Sequence, residues 1–236
     1  MKVVVLVVVG IAVYWFGFRP ECGRSGALAC PTDISLEQGV GVTLNANEVC
    51  RGAGYLCERE VPFQVLRWPL DKGKLRVRVG FPDFAKDDAA LQIRDAAIEG
   101  IMHWDRKPFP LVIDKGRWTV RFYDISVVWT QGLSMGAAGV ARPTWNFDGK
   151  RVKFGNEGMG VVVPPAMGMS PEALLARVTA VASHEMGHAL GILNHSDRER
   201  DMMFPTLNNA PGTPSDRDFQ TMDALYALPN GAMVER

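Results

Sequence analysis

Residues 184–195 read His184-Glu185-Met186-Gly187-His188-Ala189-Leu190-Gly191-Ile192-Leu193-Asn194-His195. Upstream, Ser170, Pro171 and Glu172 supply an N-cap, a proline at the first helical position and an acid at the positive helix end. A helix is therefore predicted over about 171–190. On it His184 and His188, four residues apart, project from one face and can converge on a single ion. Zinc suits two imidazoles, and Glu185 beside the first can take a proton from water whose pKa the metal lowers, then return it to a leaving amine. Gly191 can adopt the left-handed conformation that ends a helix, so a third ligand can approach from outside it. His195 is the natural candidate, and three histidines leave a fourth position open, as catalytic zinc requires.

Outward from this stretch, Leu75-Arg76-Val77-Arg78-Val79 alternates apolar and charged residues like a strand with one wet face. Ala90, Ile93, Ala97, Ile101 and Trp104 recur at helical spacing, predicting an amphipathic helix over about 87–106, ended before Pro108. Trp118, Val120 and Phe122 alternate as another strand, and Ile125 to Trp129 is β-rich. Asp148-Gly149 suits a hairpin turn between Val140–Phe147 and Lys150–Phe154. Val161–Val163 adds a short strand, and Phe219, Met222, Leu225 and Tyr226 mark a short C-terminal helix near 216–228. The order predicts an α+β domain: a twisted mixed β-sheet beside two long helices, with a mostly irregular tail. His103, the one histidine away from the cluster, reads as a surface residue of the 87–106 helix.

The 26 basic and 26 acidic residues cancel, so no overall field points to nucleic acid or an anionic surface. Lys2 precedes an apolar run from Val3 to Phe18, longer than a usual signal-peptide core and shorter than a comfortable membrane span. Residues 1–19 are thus a signal peptide or a retained membrane anchor, and either route exports the chain. Ala27-Leu28-Ala29 has the small residues of a cleavage site but lies well downstream. Cys22, Cys30, Cys50 and Cys57 all lie in the first quarter, away from the histidines, and favour disulfides in an exported protein. Cys50 and Cys57, separated by a Gly-containing loop, are the expected pair. Cleavage after Ala29 would leave three cysteines, so parity favours retention. Residues 20–62 read as a Cys-containing linker or extension and 63–236 as the folded domain.

The sequence resembles the metzincins, and within them the matrixins, whose signature is His-Glu-x-x-His-x-x-Gly-x-x-His followed by a Met-containing turn. His184, Glu185, His188 and Gly191 match directly, but the third His falls one residue late, where Asn194 takes its place. Either Asn194 replaces the ligand or the loop carries an extra residue and His195 binds zinc. The downstream register, His195-Ser196 and then Met203-Phe204-Pro205, looks like the matrixin order and favours His195, as does the stronger affinity of imidazole for zinc. The resemblance makes Met203 the apolar support beneath the metal, with Met202 as alternative, and extends over about 64–228, including Ser215-Asp216-Arg217-Asp218-Phe219 and Leu225-Tyr226. It implies a zinc endopeptidase with one catalytic Zn2+, ligands His184, His188 and His195, and Glu185 as general base and acid. A protein or peptide substrate would pair with an edge strand near Gly136 to Arg142, and Pro205 to Pro214 would wall its side-chain pocket.

Histidines are too few for a second, structural zinc, and no acidic loop is dense enough to claim calcium. Pro20-Glu21-Cys22-Gly23 is faintly similar to the matrixin inhibitory motif, against a plain disulfide role for Cys22. Two competing readings are a catalytically silent zinc-binding envelope protein, disfavoured by the intact Glu185, and a zinc hydrolase of another clan with Glu199 or Asp201 as third ligand.

Overall fold

The computed structural model describes residues 39–58, 61–115, 123–133, 137–147, 151–163, 169–207 and 212–236. The apolar segment 1–19, Cys22, Cys30, the strand expected at 118–122 and the 148–149 turn lie outside them. In chain order the elements are β1 (Thr43–Asn45), α1 (Ala46–Val49), β2 (Phe63–Gln64), β3 (Leu75–Arg78), α2 (Asp87–Met102), β4 (Leu111–Asp114), β5 (Ile125–Thr130), β6 (Gly139–Phe147), β7 (Val152–Val162), α3 (Pro171–Ala189), α4 (Asp216–Ala227) and β8 (Met233–Glu235). This is the expected α+β architecture, a five-stranded mixed sheet with two long helices and a shorter C-terminal one.

The sheet order is β4-β3-β5-β7-β6. β3 pairs in parallel with β4 and β5, and β5 with β7, while β6 runs antiparallel to β7 and forms an edge. β3 follows its alternation, with Leu75 and Val77 buried and Arg76 and Arg78 exposed. β7 joins what read as two separate strands, because Gly155, Asn156, Gly158 and Gly160 interrupt the apolar pattern between them. Gly160 has a packing reason: a Cβ there would lie 2.9 Å from Val140 Cγ1 on β6.

α2 buries Ala90, Ile93, Ala97 and Ile101 as its sequence predicts, and begins with Asp87 and Asp88 at its positive end. It ends at Met102, before the expected 106, and Trp104 folds back to donate its indole N–H to Ser183 O of α3 at 2.8 Å. Gly100 lets the two helices approach, since a Cβ would collide with the Thr179 carbonyl. α3 starts at the Ser170 cap, whose Oγ accepts from Ala173 N. At its other end, carbonyls left without helical partners receive Trp68 Nε1 on Ala189 and Tyr226 Oη on Leu190. Gly191 then turns with φ 109°, and a Cβ there would press on the Leu66 carbonyl at 2.8 Å.

A three-stranded sheet, β1-β8-β2, was not anticipated: β8 lies in what read as an irregular tail and β1 in the supposed linker. Residues 39–58, placed within the 20–62 extension by sequence, join the folded body. Ala53, Tyr55 and Leu56 are buried in the same core as Trp104 and Met203, and Cys50 and Cys57 form the expected disulfide. Among the described residues no helix is long and apolar enough to cross a membrane.

Candidate active site

α3 carries His184, Glu185 and His188 into a cleft of about 540 Å³ below β6, lined by Ala138 to Ala141, Arg177, Leu193 and Pro205 to Leu207. The loop after Gly191 brings His195 back to them. Ring nitrogens of His184, His188 and His195 lie within 4.8 Å of one another, and no other such group of His, Cys, Asp or Glu donors occurs among the described residues. His103 stands apart, half-buried at the end of α2 rather than on the surface.

The chemistry of the donor set suits a metal. His184 Nδ1 meets the Met202 carbonyl at 2.8 Å and His188 Nδ1 the Ile192 carbonyl at 2.6 Å. A carbonyl can only accept, so each neutral ring carries its proton on Nδ1 and keeps the Nε2 lone pair. The Nε2 atoms of His188 and His195 are 3.2 Å apart, close to the roughly 3.3 Å between two nitrogens on tetrahedral zinc bonded at about 2.0–2.1 Å. Burial pushes the pKa values of all three rings below the ordinary histidine value, so no proton competes for those lone pairs near neutrality. The residues present therefore fit a zinc ion.

Glu185 is 5 % exposed. Burial pushes its carboxyl up to about 8, opposed by a hydrogen bond from the Ala141 backbone N–H. β6 crosses so closely that a Cβ on Gly139 would stand 2.6 Å from Glu185 Oε1. Arg177, two turns before His184 on the same helix face, also lines the cleft, and its buried Nε–H has no partner among the described residues.

Asn194 turns away from the histidines and donates from Nδ2 to the Tyr55 carbonyl at 2.5 Å. Met203 is fully buried, and its sulfur blocks any side chain at Gly187, between the two helical histidines. Met202 contributes the carbonyl that orients His184. Asp201, the rival ligand, is instead engaged by Ser196 Oγ, Ser215 Oγ and Arg217. Burial alone would raise its pKa, but those three hydrogen bonds outweigh it and hold the carboxyl below its ordinary range.

Sequence reasoning missed Asp218. Its buried carboxylate accepts from Tyr55 Oη at 2.6 Å, Met202 N at 2.7 Å, Met203 N at 3.3 Å and Ser215 N at 2.7 Å. The available signal was Ser215-x-x-Asp218, a capping box, which accounts for one of these four bonds.

The matrixin (peptidase M10) family model matches residues 96–227, more than half of the chain. Among solved structures, archaemetzincin from Methanopyrus kandleri is similar at 16% identity, covering 65% of this chain and 96% of that one, with a TM-score of 0.45. A hatching-enzyme zinc protease of the medaka fish Oryzias latipes, high choriolytic enzyme 1, is similar at 12% identity, covering 70% and 95%, with a TM-score of 0.35. No curated protein matches. With the His-Glu-x-x-His helix, a three-histidine group and a family match spanning both, the chain belongs to the matrixin family of zinc-dependent metallopeptidases.

Proposed function

We propose that the chain is an exported zinc endopeptidase, with His184, His188 and His195 as ligands of one catalytic zinc and Glu185 as general base and acid. The carrying observation is the convergence of three imidazoles beside a buried carboxylate, directly below a sheet edge. When bound, zinc supplies a Lewis acid that lowers the pKa of water and polarises a carbonyl. Met202 O and Ile192 O hold the Nε2 lone pairs of His184 and His188 toward the metal position. Glu185, held next to them, takes the proton of the attacking water and returns it to the leaving amine. A carboxylate can do both, accepting the first proton and donating it afterwards. Met203 supports the floor of the site from below.

β6 is an edge strand of its sheet, so a substrate segment can add to it in extended form, and its backbone pairing supplies affinity without fixing sequence. Side-chain preference then falls to the cleft, where the unspent donor of Arg177 favours an acidic side chain. Export is supported by the Cys50–Cys57 disulfide together with the apolar N-terminus, which is a signal peptide or an anchor.

The test is metal content and cleavage of an unstructured protein, using the full chain beside Glu185→Ala. The expected result is about one zinc per chain in both, with cleavage only in the parent. Zinc without cleavage in either would favour a binding protein, and a parent without zinc would end the proposal.

A further inference from the structure

The zinc-binding stretch holds one residue more than the matrixin spacing, and in the fold that residue has a partner far away in sequence. Asn194 Nδ2 donates at 2.5 Å to the carbonyl of Tyr55, 139 residues upstream. Tyr55 lies inside the loop closed by the Cys50–Cys57 disulfide. It is fixed at two further points, since its N–H donates to Thr221 Oγ1 at 3.0 Å and its phenol to Asp218 Oδ1 at 2.6 Å. Gly54 beside it has φ 61°, and a Cβ there would run into Thr221 and the Arg217 carbonyl, so the loop lies directly against α4. The carbonyl that receives Asn194 is therefore an immobile acceptor.

We propose that Asn194 and the disulfide-closed loop form a clamp that positions the third metal ligand. One extra residue lengthens a chain by up to about 3.3–3.6 Å. Left slack after Gly191, that length would let the His195 ring wander over a distance larger than a metal–ligand bond tolerates. Tying Asn194 back to Tyr55 takes up the slack, and the next residue, His195, is turned to within 3.2 Å of His188 Nε2. On the far side, Ser196 N donates to Met203 O at 2.8 Å, so the ligand is held from both neighbours. Asn194 Oδ1 is buried without a partner among the described residues, so an amide there is a poor packing choice and its Nδ2–H bond is what the position uses. The family match begins at residue 96, which leaves Tyr55 and both cysteines outside it. In this chain the metal-binding unit accordingly includes a segment outside the residues that the family model matches. The inference rests on the metal reading of the three histidines and requires no catalytic activity.

Zinc affinity by chelator competition, on the full chain, tests the clamp alongside the melting temperature of the metal-free protein. Asn194→Ala should bind zinc about tenfold more weakly, the size typical for loss of a group that orients a ligand, while the metal-free melting temperature changes little. The same substitution should add no further loss when His195 is already alanine, because its effect passes through that ring. Cys50→Ser with Cys57→Ser should reproduce the loss. If that pair does not fold, the Asn194 and His195 cycle decides alone. Unchanged affinity in Asn194→Ala, or an equal loss with and without His195, would overturn the clamp while leaving the peptidase reading intact. A parent that binds zinc but cleaves nothing leaves the clamp standing, and a parent without zinc sinks both.

Discussion

Replacing Asp218 by alanine removes one carboxylate from beneath the site and strands its donors. Tyr55 Oη and Met202 N, at 2.6 and 2.7 Å, make its short bonds from buried positions, Met203 N at 3.3 Å makes a weaker one, and Ser215 N is only partly buried and can turn to water. A hydrogen bond to a charged group contributes roughly 1.5–3 kcal/mol, and a buried donor left unpaired costs about as much. Two such bonds put the loss at about 3–6 kcal/mol, a large share of the roughly 5–15 kcal/mol that holds a domain folded. For a chain of this size that corresponds to a fall in melting temperature on the order of 10 °C. The variant should be compared by urea and thermal unfolding, metal-free, with Asp223→Ala. Asp223 pairs with Arg106 at the surface, where an ion pair is worth about 1 kcal/mol or less. The two-bond reasoning is refuted if Asp218→Ala loses no more stability than Asp223→Ala.

Three further outcomes are expected. Glu185 carries a folded pKa of about 8 against 4.5 for the free group. Its contribution to metal-free stability is therefore fully present below about pH 4.5 and is lost as pH rises through about 8, so Glu185→Gln should flatten unfolding curves recorded between pH 5 and 9 in chelator. An unchanged slope would place the carboxyl in a wetter setting. Gly139→Ala should displace the Glu185 carboxyl, against which its new methyl would press, and lower kcat by roughly tenfold or more at a melting cost of about 1–3 kcal/mol. Full turnover in that variant would mean the carboxyl works from elsewhere. Arg177→Leu should reduce kcat/KM roughly tenfold for peptides presenting an acidic side chain to the cleft and spare neutral ones. Equal effects on both peptide classes would remove Arg177 from specificity.

The site was legible because its chemistry is local. Two histidines and a glutamate within five residues of one helix are brought together by helical geometry alone, and the Ser170 cap and Gly191 stop are local signals of the same kind. His195 was a harder case, since spacing left it against Asn194, and the choice between them depends on Tyr55, which no local pattern connects to position 194. The strands with clean alternation, such as β3, were readable, whereas β7 was split by its glycines, of which Gly155 and Gly160 lie close against β6. The packing of residues 39–58 was hidden for a related reason: they lack periodicity because their burial comes from partners in α4 and β8, not from a face of their own.

By itself, then, the sequence determined the helix that carries His184, Glu185 and His188, its cap and its stop, and the α+β order of elements, since each depends on residues a few positions apart. The tertiary structure alone decided which residue after Gly191 turns to the histidines, that Asp218 holds the backbone of Met202 and Met203, and that a disulfide-closed loop near the N-terminus meets Asn194. Those outcomes depend on hydrogen bonds between groups more than a dozen residues apart, and in two cases more than a hundred, whose acceptors are backbone carbonyls or a buried carboxylate. A backbone carbonyl is the same atom at every position, so only the fold can say which one a side chain will meet.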